Sequence, residues 1–144
     1  MRALFDTSVL IAGLVEAHGK HVQSFPWLQK IRHAEVQGLI AAHSIAETYA
    51  VLSTLPVSPR ITPSAAWALL EHSILPFVQA VDLSDQETQV VVQRLSRQGF
   101  AGGVVYDALI AEAAKKGKAE CVVTLNVSDF QRIAQGTSLS IREP

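Results

Sequence analysis

Short apolar runs alternate with segments of helical periodicity along the whole chain, and this alternation constrains the fold more than any other feature. The apolar runs lie at residues 4–5, 38–42, 77–83, 121–125 and 139–142, and they have the length and composition of buried strands. Strands that alternate with helices in one chain indicate a parallel sheet covered by helices on both faces. The sequence therefore predicts an α/β fold with a central, mostly parallel sheet of four or five strands.

The segments between these runs carry helix signals. Helices are predicted to begin at Thr7 or Ser8 and to span residues 21–37, 63–75, 105–116 and 126–135. Two further helices are predicted to open with Ser-x-x-Glu capping boxes, the first from Ser44 to Glu47 and the second from Ser84 to Glu87.

Length, charge and cysteine content limit the kinds of protein that this chain can be. With 144 residues, 49% of them hydrophobic, we expect one domain over residues 1–144. Twelve Lys and Arg against 13 Asp and Glu give a net charge of −1, so any phosphate chemistry must be local rather than driven by a general positive field. Cys121 is the only cysteine, which excludes an internal disulfide and fits a reducing compartment. Because we find neither a membrane-spanning run nor a secretory signal, we expect a cytoplasmic protein that makes no membrane contact.

Acidic residues follow the predicted strands where the chain enters the next helix. Asp6 comes directly after the first strand, Glu47 lies one turn into the helix after the second, and Asp129 lies just beyond the fourth. Asp107 opens a helix after a glycine-rich loop. Ligands bind parallel sheets outside the carboxyl ends of the strands, so we expect these carboxylates to converge in one cleft.

Converging carboxylates repel one another unless a cation is supplied. Oxygen ligands without cysteine or an evident histidine favour Mg²⁺ or Mn²⁺ over zinc. A hard cation with open positions binds phosphate oxygens and activates water, so phosphodiester hydrolysis is the natural reaction for such a site.

Four segments together resemble the successive signatures of PIN-domain ribonucleases. They are Leu4-Phe5-Asp6-Thr7-Ser8-Val9-Leu10, Glu47 within a helix, Tyr106-Asp107-Ala108-Leu109-Ile110-Ala111 and Thr124-Leu125-Asn126-Val127-Ser128-Asp129-Phe130. Within that superfamily the short chain is most similar to VapC toxins of toxin–antitoxin pairs. The resemblance implies a three-layer α/β/α PIN-like fold and a Mg²⁺- or Mn²⁺-dependent endoribonuclease that cuts structured RNA such as tRNA or rRNA. It also implies a homodimer and inhibition by a VapB-type antitoxin.

The resemblance also implies a role for each acidic residue. Asp6, Glu47 and Asp107 match the family's central acidic residues, with Asp6 and Asp107 as metal ligands and Glu47 completing the site or orienting water. Asn126 stands where many PIN domains have Asp, which leaves open whether one or two metals bind. Asp129 is either a fourth catalytic acid or a helix cap.

Four polar side chains are expected to support these acids. Thr7 and Ser8 are expected to donate to a site carboxylate or to phosphate, Thr124 to bond Asp6, and Asn126 to offer an uncharged carbonyl oxygen.

Other interpretations of the same residues stay open. Asp6 could be only a helix cap, and Glu47 is also the acid of a capping box. The main alternative function is a catalytically weak or silent PIN-like domain that binds RNA or a protein. A phosphatase with an Asp nucleophile is disfavoured because Ser8 stands where its second Asp is needed. We expect His18 and His21 to be surface or loop residues, since no third ligand is patterned with them.

Overall fold

A five-stranded, all-parallel sheet forms the centre of the structure, a computed structural model that describes residues 1–144. The strands are β1 (Arg2–Phe5), β2 (Gln37–Ala41), β3 (Val78–Val81), β4 (Cys121–Val123) and β5 (Ser140–Arg142). Their order across the sheet is β3-β2-β1-β4-β5, and every neighbouring pair is parallel. The predicted parallel sheet is confirmed.

Seven helices connect and cover these strands. They are α1 (Thr7–Leu14), α2 (His21–Arg32), α3 (Ala42–Thr54), α4 (Pro63–Ser73), α5 (Asp85–Gln98), α6 (Val104–Lys116) and α7 (Val127–Ile133), with a 3-10 turn at Leu75–Phe77. None of them combines the length and the apolar character that a helix needs to cross a bilayer.

Side chains of β1 alternate between two apolar cores, one on each face of the sheet. Phe5 belongs to the core that includes Leu28 of α2 and Leu70 of α4. Leu4 belongs to the core that includes Ile110 of α6 and Phe130 of α7. Since successive strand residues point to opposite faces, helices cover the sheet on both sides, and the predicted three-layer fold is confirmed.

The order of the strands reverses between β1 and β4. From β1 the chain steps to β2 and β3 on one side, whereas β4 and β5 lie on the other side. A crevice forms at the carboxyl ends of two such strands, and it is the usual ligand site of open α/β sheets. Asp6 and Thr124 directly follow β1 and β4, and Asp6 lines the cavity that forms there.

Two predicted boundaries are wrong for tertiary reasons. Helix α2 ends at Arg32 rather than at 37, because Ala34 adopts a left-handed backbone (φ 58°) and Gln37 pairs in register with Arg2 of β1. The predicted capping box at Ser44 does not form, because β2 passes directly into α3 with Ala41 at the N-cap. Ser44 is therefore inside the helix, where its buried hydroxyl has no hydrogen-bond partner.

The second capping box is confirmed. Ser84 accepts a hydrogen bond from the amide of Glu87 at 3.1 Å, and the Glu87 carboxylate accepts one from the Ser84 amide at 2.7 Å. Helix α5 ends at Gly99, whose left-handed backbone (φ 77°) suits glycine.

Candidate active site

A cavity of about 370 Å³ opens at the carboxyl ends of β1 and β4. The carboxylates of Asp6, Glu47 and Asp107 all line it, so residues from three distant parts of the chain meet there. No lysine or arginine lines it. A larger cavity of about 490 Å³ lies at the amino ends of β1, β2 and β3, but no carboxylate lines it. The acidic cavity is therefore the place where the predicted chemistry can occur.

Asp6 is buried, with 5% of its surface exposed, and hydroxyl groups hold its carboxylate. Asp6 occupies the N-cap position of α1, but its side chain accepts no hydrogen bond from that helix's amides. Its Oδ2 instead accepts hydrogen bonds from the Ser8 hydroxyl and, at 2.8 Å, from the Thr124 hydroxyl. The side chain is thus oriented into the crevice and does not cap the helix.

Glu47 faces α1 from the second turn of α3. The Thr7 hydroxyl donates a hydrogen bond to Glu47 Oε2 at 3.1 Å. Because no capping box forms at Ser44, the Glu47 carboxylate is free of the helix terminus. Thr7 therefore ties the start of α1 to this acid across the cavity.

Asn126 joins Asp107 to Asp129. Its amide nitrogen donates to Asp107 Oδ2 at 3.1 Å and to Asp129 Oδ2 at 3.0 Å, so both of its N–H groups are used. Asp129 also accepts from Arg132 at 3.3 Å through its other oxygen. Asp129 does not line the cavity, and it caps no helix amide. In this arrangement Asn126 offers its nitrogen, rather than its carbonyl oxygen, to the acids.

Asp107 has the most strongly shifted pKa among the acids of the site. The pKa of Asp107 is raised from 3.8 to about 6, first by burial and then by the charges of Asp6, Asp129 and Glu47, against the lowering effect of the hydrogen bond from Asn126. Raised carboxyl pKa values of this kind mark places where ionised acids lack a counter-charge.

One oxygen of each cavity-lining carboxylate is held and the other is free. Oδ2 of Asp6, Oε2 of Glu47 and Oδ2 of Asp107 accept all the hydrogen bonds that these three groups receive from the protein. The Thr124 hydroxyl, which donates to Asp6, also accepts a hydrogen bond from the backbone amide of Asn126 at 2.9 Å. The network thus fixes three acids while leaving an oxygen on each for a ligand.

Comparison with known proteins places this architecture in a family. The PIN domain family model matches residues 2–128. The chain belongs to the PIN domain family. Ribonuclease VapC27 of Mycobacterium tuberculosis is 36% identical over 115 residues, which cover 80% of this chain and 78% of that protein. Ribonuclease VapC40 of the same species is 33% identical over 115 residues, or 80% of each chain. The PIN-domain relatives of this chain are therefore VapC ribonucleases.

Solved structures share the fold at low sequence identity. VapBC2 from Rickettsia felis, crystallised with a DNA fragment from its promoter, has a TM-score of 0.65 at 18% identity and covers 99% of this chain and 98% of that one. VapC20 of Mycobacterium tuberculosis, a toxin that cleaves the sarcin-ricin loop, has a TM-score of 0.64 at 14% identity, with 83% and 86% covered. The chain thus shares its overall fold with these two structures.

The donor set of this PIN domain fits a hard divalent cation. Each of the three carboxylates has one free oxygen, and carboxylate oxygens suit Mg²⁺ or Mn²⁺ better than zinc. No three acidic, histidine or cysteine side chains lie close enough together to enclose an ion by themselves. A cation at this site would therefore complete its coordination with water, as Mg²⁺ commonly does.

Two histidines that were not predicted as site residues, His18 and His43, lie at or near the site, although His18 was expected to be a surface or loop residue. His18, in the loop after α1, lines the acidic cavity. His43, at the start of α3, is partly buried, and burial lowers its pKa against the opposing charges of Glu47 and Asp6. Its buried Nε2 has no hydrogen-bond partner. No local pattern predicts either placement, because each depends on how a loop or a strand end is oriented relative to Asp6.

Proposed function

We propose that this chain is a Mg²⁺- or Mn²⁺-dependent endoribonuclease of the VapC type that hydrolyses phosphodiester bonds in structured RNA, tRNA or rRNA. The observation that carries the proposal is a set of three carboxylates, each with one free oxygen, in the crevice where the strand order reverses between β1 and β4. Relatives named as ribonucleases at 33–36% identity support the reaction class.

The roles of the residues follow from their surroundings. Asp6 and Asp107 are the metal ligands in this proposal, since both have a free oxygen, and burial together with neighbouring carboxylates makes the ionised form of Asp107 unfavourable without a cation. A divalent cation held there would supply positive charge for the phosphate and would make a water more acidic. The free oxygen of Glu47, whose carboxylate Thr7 fixes, would orient the attacking water. Asp129 positions Asn126, and Asn126 in turn positions Asp107.

Electrostatics make the cation necessary for substrate binding as well. RNA brings negative phosphates to a cavity that is lined by three carboxylates and by no lysine or arginine. Like charges within a few ångströms disfavour such an approach unless a cation stands between them. RNA binding at the cavity should therefore depend on the metal.

The test is a cleavage assay on a mixture of total tRNA and ribosomal RNA, with Mg²⁺, with Mn²⁺ and with EDTA. We expect discrete cleavage products with either metal and none with EDTA. Asp6→Asn and Asp107→Asn should lose at least 100-fold in rate while remaining folded, on the scale expected when a metal ligand is lost. Glu71→Gln, which changes an exposed acid of α4, is the matched control and should cleave normally. Full activity in Asp107→Asn would refute the assignment.

The alternative is a PIN domain that binds RNA or protein without cutting. Asn126 in place of an acid, and the absence of a ready three-residue cage, favour it. Calorimetric titration with Mn²⁺ separates the two functions. Heat of binding that disappears in Asp6→Asn supports the nuclease, whereas no binding at millimolar Mn²⁺ supports the alternative.

A VapB-type antitoxin is the proposed partner, because one structural neighbour is a VapBC assembly. A cavity of about 430 Å³ between α1, α2 and α4 gives an amphipathic segment a place to dock. Phe25 lines it and is 42% exposed, and Trp67 on α4 is 45% exposed. Trp27 instead packs edge-on against Phe5, with ring centroids 5.8 Å apart, and so belongs to the core. Co-purification of an untagged small protein encoded next to this chain tests the proposal.

We further propose that residues 1–144 act as a single PIN domain, that the protein forms a homodimer and that it works in the cytoplasm. The free, buried thiol of Cys121 is consistent with a reducing compartment. Light scattering combined with size-exclusion chromatography tests the dimer.

A further inference from the structure

His18 reaches the acidic cavity from the loop between α1 and α2. The loop is fixed by backbone hydrogen bonds, in which the His18 amide donates to the Val15 carbonyl and the His21 amide donates to the His18 carbonyl, both at 2.9 Å. The imidazole, which is partly exposed, lines the same cavity as Asp6, Glu47 and Asp107. The loop therefore presents an aromatic nitrogen base to a wall otherwise made of acids, hydroxyls, an amide and apolar groups.

The hydrogen bonding of the ring fixes which nitrogen carries the proton. The Lys20 amide donates to His18 Nδ1 at 3.1 Å. A nitrogen that accepts a hydrogen bond has no proton of its own, so in the neutral ring the proton is on Nε2. No protein group accepts from Nε2, and this N–H remains available to a ligand.

The other side-chain donors of the cavity are already in use. The hydroxyls of Thr7 and Ser8 donate to Glu47 and Asp6. Both amide N–H groups of Asn126 donate to Asp107 and Asp129. The remaining lining side chains are carboxylates or apolar groups. Among the side chains that line the cavity, His18 Nε2–H is thus the one donor that no protein group occupies.

We propose that His18 binds RNA directly, by donating a hydrogen bond from Nε2–H to a non-bridging phosphate oxygen of the strand in the cavity. This inference rests on the proposed nuclease function and adds a substrate-contacting residue to it. The group to be bound is an anion, and a hydrogen bond to a charged oxygen is stronger than one to a neutral oxygen. His18 thus supplies the one side-chain hydrogen bond that the wall of the cavity can offer a phosphate, beside the cation that the proposed function requires.

Two substitutions separate the donor at Nε2 from the structural role of Nδ1. In His18→Asn, the side-chain oxygen can still accept a hydrogen bond from the Lys20 amide, but the Asn side chain is too short to place a donor at the position of Nε2. Gln in His18→Gln carries an amide N–H near the position of Nε2. His33→Asn is the control, since His33 is exposed and lies near Glu35, away from the cavity.

The experiment measures cleavage of a mixture of total tRNA and ribosomal RNA with Mg²⁺, and binding of the same RNA by fluorescence anisotropy with Ca²⁺. We expect His18→Asn to lower kcat/KM by roughly 10- to 100-fold and to weaken binding by about 10-fold, as for the loss of one hydrogen bond to a charged group. His18→Gln should recover most of both losses, and His33→Asn should equal wild type. The rise in Tm caused by Mg²⁺ should be the same in all four proteins, because His18 holds no metal here.

The outcomes distinguish this inference from the proposed function. Wild-type protein that cleaves RNA, with His18→Asn cleaving and binding equally well, overturns the role of His18 and leaves the nuclease intact. Wild-type protein that binds RNA without cutting it refutes the nuclease, and weaker binding by His18→Asn then still supports the contact. Wild-type protein that neither binds nor cuts RNA overturns both. Equal losses in His18→Asn and His18→Gln show that a donor near the ε position does not restore RNA binding, which also overturns the proposal.

Discussion

Replacing Asp107 with Asn should stabilise the metal-free protein while abolishing its activity. The pKa of Asp107 rises from 3.8 to about 6, first because of burial and then because of the neighbouring acids. Ionising this carboxylate in the folded state is therefore unfavourable. An amide in its place removes the charge, and its carbonyl oxygen can still accept the hydrogen bond from Asn126.

The size of the effect follows from linkage between protonation and folding. A folded-state pKa of about 6, against 3.8 in the unfolded chain, lowers the free energy of unfolding by at most about 3 kcal/mol at neutral pH. Asp107 is only partly buried, so solvent screening reduces the expected gain to about 1 kcal/mol, or about 3 to 4 °C in Tm for a domain of this size.

The sign of the pH dependence is also fixed. The folded protein binds more protons than the unfolded chain between about pH 4 and pH 6, so the stability of the wild type falls as pH rises through that window. The advantage of Asp107→Asn should therefore be small at pH 4 and complete at pH 7.5.

Urea unfolding in EDTA, followed by circular dichroism across this pH range, measures the difference, with Glu71→Gln as the control. Addition of Mg²⁺ should then reverse the ranking. Wild type gains about 1.4 kcal/mol at ten times the metal Kd, and the variant gains much less. A variant that is less stable than wild type in EDTA at pH 7.5 would refute the reasoning, as would equal stabilisation of both proteins by Mg²⁺.

Three further predictions concern residues around the site and the helix starts. Ser84→Ala should lower the free energy of unfolding in urea by about 1 kcal/mol, because it removes an observed capping box. Ser44→Ala should change that free energy by less than about 0.5 kcal/mol, because the Ser44 hydroxyl has no hydrogen-bond partner. Equal effects of the two substitutions would contradict the assigned helix starts. Thr124→Val should cost about 1 to 3 kcal/mol and slow RNA cleavage, since a buried hydroxyl that both donates and accepts is lost; unchanged stability would show that this network is not formed. Asn126→Asp should destabilise the metal-free protein and tighten Mg²⁺ binding in calorimetry, since it adds a charge beside Asp107; weaker Mg²⁺ binding would contradict this.

Sequence patterns predicted the sheet well because its strands are local, apolar and buried. The runs at 38–42 and 121–125 correspond to β2 and β4, each displaced or shortened by one or two residues. The register across the sheet, such as Leu4 beside Leu39 and Val122, has no local signal and depends on all of the strands at once.

The two Ser-x-x-Glu segments show why a local motif can fail. Ser84 follows a loop, so its helix has free amides that the side chain can cap. Ser44 follows β2 without any loop, and Ala41 has already taken the N-cap position by its backbone conformation. The same four-residue pattern thus forms a box only where the preceding chain leaves the helix start exposed.

Asp6 and Glu47 could be predicted because parallel strands bring their carboxyl ends to one edge, and this rule needs only the order of elements; Asp107, which follows a glycine-rich loop at the start of α6, was predicted from its position at a helix start and from the family resemblance. The roles of Asn126 and His18 could not. Whether Asn126 presents its oxygen or its nitrogen depends on the two carboxylates that face it. The position of His18 depends on a loop whose path is set by backbone hydrogen bonds at Val15 and His21.

The arrangement of donors explains how an acidic site can be held open before any cation binds. The hydroxyls of Thr7, Ser8 and Thr124 and the side-chain amide of Asn126 stabilise the carboxylates by hydrogen bonds, without adding a positive charge to the cavity. An arginine or lysine in their place would compete with the cation for the same oxygens. Neutral donors instead reduce the repulsion between the carboxylates, and they leave the site with a net negative charge that attracts a cation. A site built in this way has no remaining neutral side-chain donor for phosphate except one brought by a separate element, and the loop carrying His18 occupies that position.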